Sequence, residues 1–226
     1  MIEQRRLYSF PKQTLTRLPY YYNYLKALKN DGIQNISAPF IAKDLNLNEV
    51  QVRKDLAAVS ESGGRPKTGF DVEELITCME HCLGYNNVND AVLIGSGKLG
   101  TALLSYTGFE NYGVRIVAAF DSDNSVTGTE INGKHIYPME RLSELCRRLN
   151  VHIGIITVPA KNAQDVCNML VENGVLAVLN FAPVHLVVPD NILVQNENMA
   201  VSLALLSKHL KERMQNRSAA VTEDIT

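Results

Sequence analysis

The residues best suited to chemistry form a glycine-rich stretch that directly follows an apolar run. The stretch is Gly95-Ser96-Gly97-Lys98-Leu99-Gly100. In such a Gly-x-Gly-x-x-Gly pattern the first glycine makes a tight turn, the second lets the backbone approach a pyrophosphate, and the third lets a helix pack closely on a strand. The residues that follow have a helical pattern, so the free amides of a helix N-terminus would face the phosphates. The stretch therefore predicts a strand, a turn and a helix that bind a dinucleotide.

A carboxylate at a fixed spacing strengthens this prediction. A second apolar run, Val114–Phe120, ends at Asp121, which lies 21 residues after Gly100. That is the spacing of the acid that binds a ribose 2′-hydroxyl, and it would repel a 2′-phosphate. Because no arginine lies close by in sequence, the pattern favours NAD(H) over NADP(H). The alternative is a glycine turn in an ordinary doubly wound sheet.

Length and composition limit the class of protein. The chain has 226 residues and 46% hydrophobic content, enough for a sizeable core in one or two domains. No apolar run approaches the roughly 20 residues of a membrane helix, and the N-terminus lacks the apolar segment of a signal peptide. We expect a soluble, cytoplasmic protein with no membrane partner.

Charge is distributed unevenly along the chain. Residues 1–70 hold 11 Lys and Arg against 6 Asp and Glu, whereas residues 71–226 hold 11 against 18. Opposite signs in the two parts suggest that the first part contacts a polyanion.

The four cysteines are few and scattered, as in reduced cytoplasmic proteins. Cys78 and Cys82 could share a helix face beside His81, which raises the possibility of a metal site. Without a second ligand pair, buried small side chains are the better interpretation, and we expect no metal.

The basic part contains a helix-turn-helix pattern. Ser37 can cap a short helix, residues 46–48 make a turn, and Asn48 can cap a second helix through Val59. In that second helix an inner stripe is predicted at Val52, Leu56 and Val59. The side chains left facing outward near its N-terminal end, where a recognition helix contacts the major groove, are Gln51, Arg53 and Lys54. Arginine can pair with guanine and glutamine with adenine, while lysine more often contacts phosphate. A solvated helix face is the alternative.

The elements around this pattern are typical of a winged helix. A first helix is predicted from Pro11 to Lys29, with Pro19 either in its opening turn or kinking it, and its tyrosines are expected to pack rather than to stack on bases. The glycine-rich loop Ser60–Phe70 suits a wing whose Arg65 and Lys67 contact phosphates or the minor groove. A helix from Asp71 to Gly84 follows.

The remaining residues alternate between strands and helices, which predicts a parallel sheet. Helices are expected at 139–150 and 163–173, and strands at 151–158 and 174–181. The strand-end residues expected at the same carboxyl edge as Gly95 are Pro159, Ala160, Asn180, Phe181, Ala182 and Pro183. A last helix, 199–214, carries an apolar stripe that needs a partner surface, and a polar, frayed tail is expected from 215 to 226.

The fold class predicted is α/β, with an N-terminal winged helix-turn-helix and a Rossmann-type doubly wound parallel sheet. We predict a DNA-binding domain at residues 1–84, a nucleotide-binding domain at residues 85–197, and a C-terminal helix with its tail at residues 198–226.

Over nearly its whole length the chain resembles the Rex family of redox-sensing transcriptional repressors. The matching segments are Arg17-Leu-Pro-Tyr-Tyr, Gln51-Val-Arg-Lys-Asp-Leu56, Gly95–Gly100 with Tyr106, Phe120-Asp121, Val158-Pro-Ala160 and Asn180–Pro183. The resemblance implies a homodimer that exchanges its last helix between subunits, with Tyr106 at the cofactor. It also implies binding to double-stranded operator DNA that NADH releases and NAD+ permits.

Two positions depart from the family pattern. The family usually has a Phe-Gly-rich wing that ends in Gly-Tyr, whereas this chain has Val59–Phe70, which points to a different operator. The family tends to open its last helix with an aspartate that can switch partners between the positions matching Arg17 and Tyr106. Asn198 stands there in this chain, so we expect weaker redox coupling.

Two other functions are compatible with a nucleotide fold. A small NAD-dependent dehydrogenase would need a substrate domain, for which the chain is too short, and its best general base would be His185. The pair Tyr22 and Lys26 matches Tyr-x-x-x-Lys but lies outside the nucleotide fold. A coenzyme A-binding sensor would not need Asp121. We therefore expect a regulator and not an enzyme.

Overall fold

The computed structural model describes residues 10–86 and 89–223. The chain forms two compact units, one from Met1–Val88 with Glu110–Val114 and the other from Asn89–Phe109 with Arg115–Thr226. The return of residues 110–114 to the first unit was not predicted. The sequence-based boundaries at residues 84 and 197 stay predictions.

The first unit has the predicted helices and two short antiparallel strands. Its elements are α1 (Lys12–Asn30), β1 (Asn35–Ile36), α2 (Ala38–Asp44), α3 (Glu49–Val59), β2 (Phe70–Asp71) and α4 (Val72–Leu83). The predicted caps are confirmed, because Ser37 accepts a hydrogen bond from the amide of Phe40 and Asn48 accepts one from the amide of Gln51. These caps fix where α2 and α3 begin.

Apolar residues from all four helices form one core. Val52, Leu56 and Val59 are buried, which confirms the predicted inner stripe of α3. Pro19 lies inside α1, not in its opening turn. Of the tyrosines expected to pack, Tyr21 and Tyr22 are buried, whereas Tyr20 is exposed.

A buried carboxylate joins α3 to α1. Asp55 is 3% exposed and accepts hydrogen bonds from Arg17 Nε at 2.8 Å and Arg17 Nη2 at 3.1 Å. It also accepts from the hydroxyls of Tyr21 at 3.0 Å and Thr14 at 3.3 Å. Burial alone would raise the pKa of Asp55, but the hydrogen bonds from Arg17, Tyr21 and Gln51 hold that pKa below its usual value. The carboxylate is therefore kept ionised inside the unit.

A second carboxylate holds the start of the wing loop. Glu74 on α4 accepts hydrogen bonds from the amides of Glu61 and Ser62 and from the hydroxyls of Ser60 and Ser62. Burial opposes its ionisation, but these donors lower the pKa of Glu74 overall. The loop after α3 is therefore tied to α4.

The second unit is built on a seven-stranded sheet. Its elements are β3 (Asn89–Ile94), α5 (Lys98–Ser105), a 3-10 turn (Gly108–Tyr112, mostly in the first unit), β4 (Val114–Asp121), β5 (Glu130–Ile131), β6 (Lys134–Pro138), α6 (Leu142–Leu149), β7 (Ile153–Ile156), α7 (Ala160–Glu172), β8 (Ala177–Asn180), β9 (Leu193–Asn196) and α8 (Met199–Glu223). The strand order is β5-β6-β4-β3-β7-β8-β9. The pairs β3–β7, β4–β6, β7–β8 and β8–β9 are parallel.

In the second unit, three strands were not predicted from the sequence and several element ends were misplaced. The hairpin of β5 and β6 and the edge strand β9 were not predicted, because they are short or lack a clear alternation of apolar residues. The strands predicted at 151–158 and 174–181 are shorter in the structure, while α7 begins earlier, at Ala160. The frayed tail predicted from residue 215 is wrong as far as Glu223, since α8 continues to that residue; residues 224–226 lie outside the described part.

One sheet face is covered by two helices. Leu145 on α6 and Val166 and Leu170 on α7 pack in the same buried cluster as Val92 and Phe120 of the sheet. None of the helices in residues 10–86 and 89–223 is long and apolar enough to cross a membrane.

The glycine at the start of α5 is fixed by close packing. A Cβ atom on Gly100 would lie 1.9 Å from the carbonyl oxygen of Gly95. No side chain fits there, so the third glycine of the pattern has the packing role that its position predicted.

We predict that Gly100→Ala destabilises the second unit by about 1–3 kcal/mol or more, because the methyl group must displace backbone. Urea unfolding monitored by circular dichroism measures the change. The matched control is Gly97→Ala, since a Cβ at Gly97 meets nothing within 4 Å. Equal stability of the two variants would contradict the packing role.

We also predict a specific acid sensitivity for the first unit. The lowered pKa values of Asp55 and Glu74 contribute stability above their unfolded values, about 3.9 and 4.3, and this contribution is lost as the pH falls below them. Glu74→Gln should cost about 1–3 kcal/mol at pH 7 and flatten the loss between pH 6 and pH 3. The control is Glu73→Gln, an exposed neighbour. Unfolding free energies that stay parallel for wild type and Glu74→Gln across this pH range would refute the assignment.

Candidate functional site

The glycine loop has the geometry of a phosphate-binding turn. Gly95 has a φ of +99°, which favours glycine, and Gly97 precedes the first turn of α5 without a side-chain cap. The amides of that turn are therefore open to an anion, and the space beside Gly97 is free of protein atoms among the described residues.

Two threonines that the sequence analysis did not single out hold this loop. Thr157 Oγ1 donates to the carbonyl of Gly95 at 2.6 Å, and Thr101 Oγ1 donates to the carbonyl of Ser96 at 2.8 Å. Both carbonyl oxygens are thereby bonded to protein side chains. The position of Thr157 directly after an apolar strand was the available signal.

Asp121 lies at the carboxyl end of β4 and is bonded to the same loop. Its Oδ2 accepts from the amide of Ser96 at 2.6 Å and from the Ser96 hydroxyl at 2.7 Å, while Oδ1 accepts from the amide of Asp123 at 3.0 Å. Burial would raise the pKa of Asp121, but these hydrogen bonds hold it below its usual value. The group is an ionised, partly exposed acceptor beside the glycine loop.

Strand register brings the other predicted residues to this edge. Ile94 pairs with Ile156, and Ile156 pairs with Asn180. The segments that follow these three parallel strands therefore begin side by side at the carboxyl edge of the sheet. Pro159 and Ala160 are exposed at the start of α7, and Phe181 is half-buried.

Asn180 has a positioning role that the sequence did not predict. It is fully buried, and its amide nitrogen donates to the carbonyls of Ala182 and Val184 and to Asn196 Oδ1, while its oxygen accepts from the amide of Ala182. Its side chain therefore shapes the loop that contains Phe181 and Pro183, and Ala182 is buried in that loop. The prediction that Asn180 and Ala182 contact a cofactor stays untested.

Tyr106 follows α5 and is 55% exposed. Its ring packs edge to face against Phe109, with centroids 5.0 Å apart. An exposed aromatic face is thus present near the end of the helix that begins at the glycine loop.

The outward face of α3 has the predicted residues, with one difference. Arg53 and Lys54 are exposed, and Arg53 forms an ion pair with Glu49 one turn earlier. Gln51 is only partly exposed, because its Nε2 donates to Asp55 Oδ1 at 3.0 Å. Asp55 lies between the apolar positions 52 and 56, and this place in the sequence gave no sign that its side chain is buried.

The wing is a tight loop with two exposed cations. The backbones of Arg65 and Gly69 exchange hydrogen bonds of 2.7 and 2.9 Å, and Lys67 at the tip has a φ of +68°. Both basic side chains are exposed, as the wing prediction requires.

The alternative sites receive no support from geometry. In the described residues no group of three or more His, Cys, Asp or Glu side chains is placed to hold a metal ion. Burial raises the pKa of the Cys78 and Cys82 thiols, which disfavours thiolate ligands. Tyr22 is buried with its hydroxyl on Glu80, and His185 is exposed on a loop.

Two family models match the two parts of the chain. The model described as "Putative DNA-binding protein N-terminus" matches residues 9–57, and the one described as "CoA binding domain" matches residues 86–184.

Relatives match nearly the whole chain. The redox-sensing transcriptional repressor Rex of Bacteroides thetaiotaomicron is 39% identical over 92% of this chain and 94% of its own length. That of Carboxydothermus hydrogenoformans is 41% identical over 90% of this chain and 98% of its own.

Solved structures of RSP, a Rex-family repressor, have the same fold. RSP in complex with β-NAD+ and operator DNA is 30% identical, with a TM-score of 0.83, over 93% of this chain and 96% of that one. RSP in complex with β-NADH is 29% identical, with a TM-score of 0.80, over 93% and 99%. On this sequence identity and coverage, the chain belongs to the Rex family of redox-sensing transcriptional repressors.

Proposed function

We propose that this chain is a repressor that binds operator DNA when NADH is scarce and releases it when NADH binds. The observation that carries the proposal is that one chain combines a winged helix with exposed cations and a sheet edge where Asp121 adjoins an open glycine loop. Family membership and the RSP complexes with NAD+ and operator DNA and with NADH support it.

The residues at the sheet edge fit NAD(H). The space beside Gly97 and the uncapped turn of α5 suit a pyrophosphate, and the Asp121 carboxylate suits a ribose hydroxyl. The further contacts we propose are from Ser96, Lys98, Leu99, Tyr106, Pro159, Ala160, Phe181 and Pro183. For Asn180 and Ala182 we propose that they hold the loop that contains Phe181 and Pro183 in position.

On the first unit, operator DNA is contacted by α3 and the wing. We assign base contacts to Gln51 and Arg53, and phosphate or minor-groove contacts to Lys54, Arg65 and Lys67. Since Arg53 pairs with Glu49 in the protein alone, it must leave that exposed pair to reach a base, at a small cost.

The redox response follows from the charge of the nicotinamide ring. The oxidised ring is a cation and the reduced ring is neutral, so burial of the reduced ring costs less desolvation. The exposed ring of Tyr106 can cover the reduced nicotinamide. Asn198, which caps α8 by accepting from the amide of Val201 at 3.1 Å, brings no charge to this response. We therefore expect the coupling free energy between NADH binding and operator binding to lie at the low end of the usual range.

The two competing functions make different demands. A dehydrogenase needs a general base at the sheet edge, and the exposed loop position of His185 does not favour that role. A coenzyme A sensor gains support from the family model over residues 86–184. However, coenzyme A carries a phosphate on its adenosine ribose, which the Asp121 carboxylate would repel. We propose a regulator without turnover, which acts in the cytoplasm.

We further propose that the protein is a homodimer assembled through α8. The predicted stripe at Met199, Leu203, Leu206 and Leu210 is exposed along its length. Such a long exposed apolar face along one helix suits a second copy of the chain.

We predict that saturating NADH lowers operator affinity about fivefold relative to saturating NAD+, at the low end of typical couplings of about 1–3 kcal/mol. Fluorescence anisotropy with a selected operator measures both constants. Asp121→Ala is the control, because its weakened nucleotide binding should remove the difference at moderate ligand concentration. Indistinguishable operator affinities with the two nucleotides would refute redox sensing, and tighter binding of coenzyme A than of NADH would favour the competing sensor.

We also predict that Leu206→Asp shifts the protein from dimer to monomer. Each dimer contains two substituted sites, and an apolar side chain that stays unburied forfeits about 1.5–3 kcal/mol. The dimer dissociation constant from analytical ultracentrifugation should therefore rise by about a hundredfold or more. Ala204→Asp, which places the same charge on the other side of α8, should have little effect. A wild-type protein that sediments as a monomer at all concentrations would exclude the dimer.

A further inference from the structure

The recognition helix contains a carboxylate that cannot reach DNA but touches a side chain that can. Asp55 is buried, and one turn earlier on α3 the Nε2 of Gln51 donates to its Oδ1 at 3.0 Å. The other donors to Asp55 come from α1. Gln51 is therefore the only surface residue of α3, in the described part of the chain, whose side chain is bonded to this buried cluster.

This hydrogen bond determines which way the amide of Gln51 is turned. An ionised carboxylate only accepts hydrogen bonds, so the amide nitrogen and not the oxygen must face Asp55. The Oε1 acceptor and the second N–H of Gln51 are left for other partners. Adenine presents an acceptor and a donor in the major groove, and a glutamine with both groups free and aligned can bind them as a pair.

The charge of Asp55 does not oppose DNA binding. Arg17 contacts both carboxylate oxygens through two of its nitrogens, which neutralises the pair locally. The cations Arg53 and Lys54 are exposed on the same helix. The carboxylate thus orients Gln51 without presenting a free negative charge to phosphates.

We propose that Asp55 is a positioning residue for sequence recognition, which orders Gln51 before DNA binds so that Gln51 selects one adenine in each half-site. The inference deepens the proposed function and depends on it. In the absence of the Asp55 contact, Gln51 must lose side-chain freedom on binding and can turn its amide either way, so discrimination at that base pair falls.

The test is a binding-site selection with the full chain in the absence of NADH. The variants are Gln51→Ala, the paired change Arg17→Leu with Asp55→Leu, and the combination of all three. Replacing both partners of a buried ion pair by apolar groups is often tolerated by the fold, whereas removing one is not. The quantity measured is the ratio of affinities for operators that differ at one base pair.

We expect Gln51→Ala to reduce the preference for adenine at one base pair per half-site by about fivefold to a hundredfold. The paired Leu variant should reduce the preference at that same base pair, and it should reduce it no further when Gln51 is already alanine. Partial unfolding lowers binding to every sequence alike and leaves the ratio unchanged. The ratio therefore distinguishes positioning from a merely structural role.

A measurement on the wild-type protein tests the same proposal if the paired Leu variant does not fold. Side-chain ¹⁵N relaxation without DNA should show the amide of Gln51 to be as rigid as that of Gln164. The Gln164 side chain donates a hydrogen bond to the carbonyl of Val187 and accepts one from its amide. The Gln51 amide should be more rigid than the amide of the exposed Gln13.

Three results would overturn the proposal. The first is a Gln51 amide as mobile as that of Gln13. The second is an adenine preference that is unchanged in the paired Leu variant. The third is a loss of base preference in that variant that is equal at all base pairs of the operator. A wild-type protein that binds duplexes without any sequence preference would overturn the proposed function as well, so the two failures are distinguishable.

Discussion

The contact between the start of α5 and the end of β3 is the constraint on which the nucleotide edge depends. The carbonyl of Gly95 lies so close to Gly100 that no side chain fits between them. This approach directs the uncapped first turn of α5 toward the open space at Gly97. Thr157 and Thr101 remove the two loop carbonyls from that space, and Asp121 binds Ser96. An anion would thus meet N–H donors on the loop and an acceptor only where a ribose is expected.

The DNA-binding unit uses buried charge in a comparable way. Asp55 and Glu74 are both partly or fully buried carboxylates kept ionised by several donors each. Asp55 ties α3 to α1, and Glu74 ties the loop after α3 to α4. Helix α3 and the start of the loop after it are therefore fixed from inside the unit, while the cations Arg53, Lys54, Arg65 and Lys67 stay exposed on its surface. Such networks are costly when incomplete, so their members act together.

Periodicity and spacing in the sequence determined the fold class, the helices of the first unit with their caps, and the glycine loop with Asp121. These features depend on neighbouring residues, and local patterns therefore reveal them. The segments that match the Rex family added the link between DNA binding and NAD(H) binding. Strand β9 and the hairpin of β5 and β6 escaped detection because their short sequences become strands only by pairing with the sheet. The extent of α8 was underestimated because polar residues after 214 do not prevent a helix from continuing.

Only the tertiary structure decided which side chains are free and which are already bonded. The sequence named Asn180 as a candidate cofactor contact but gave no sign that its side-chain amide is bonded to the loop that follows β8 and to Asn196. Gln51 was predicted to face outward, yet it is bonded to an aspartate that the sequence pattern hid between two apolar positions. Residues 110–114 belong to the first unit although the residues on both sides of them belong to the second. Hydrogen bonds between residues far apart in the chain leave no periodic signal, so the sequence could identify candidate residues but not their partners.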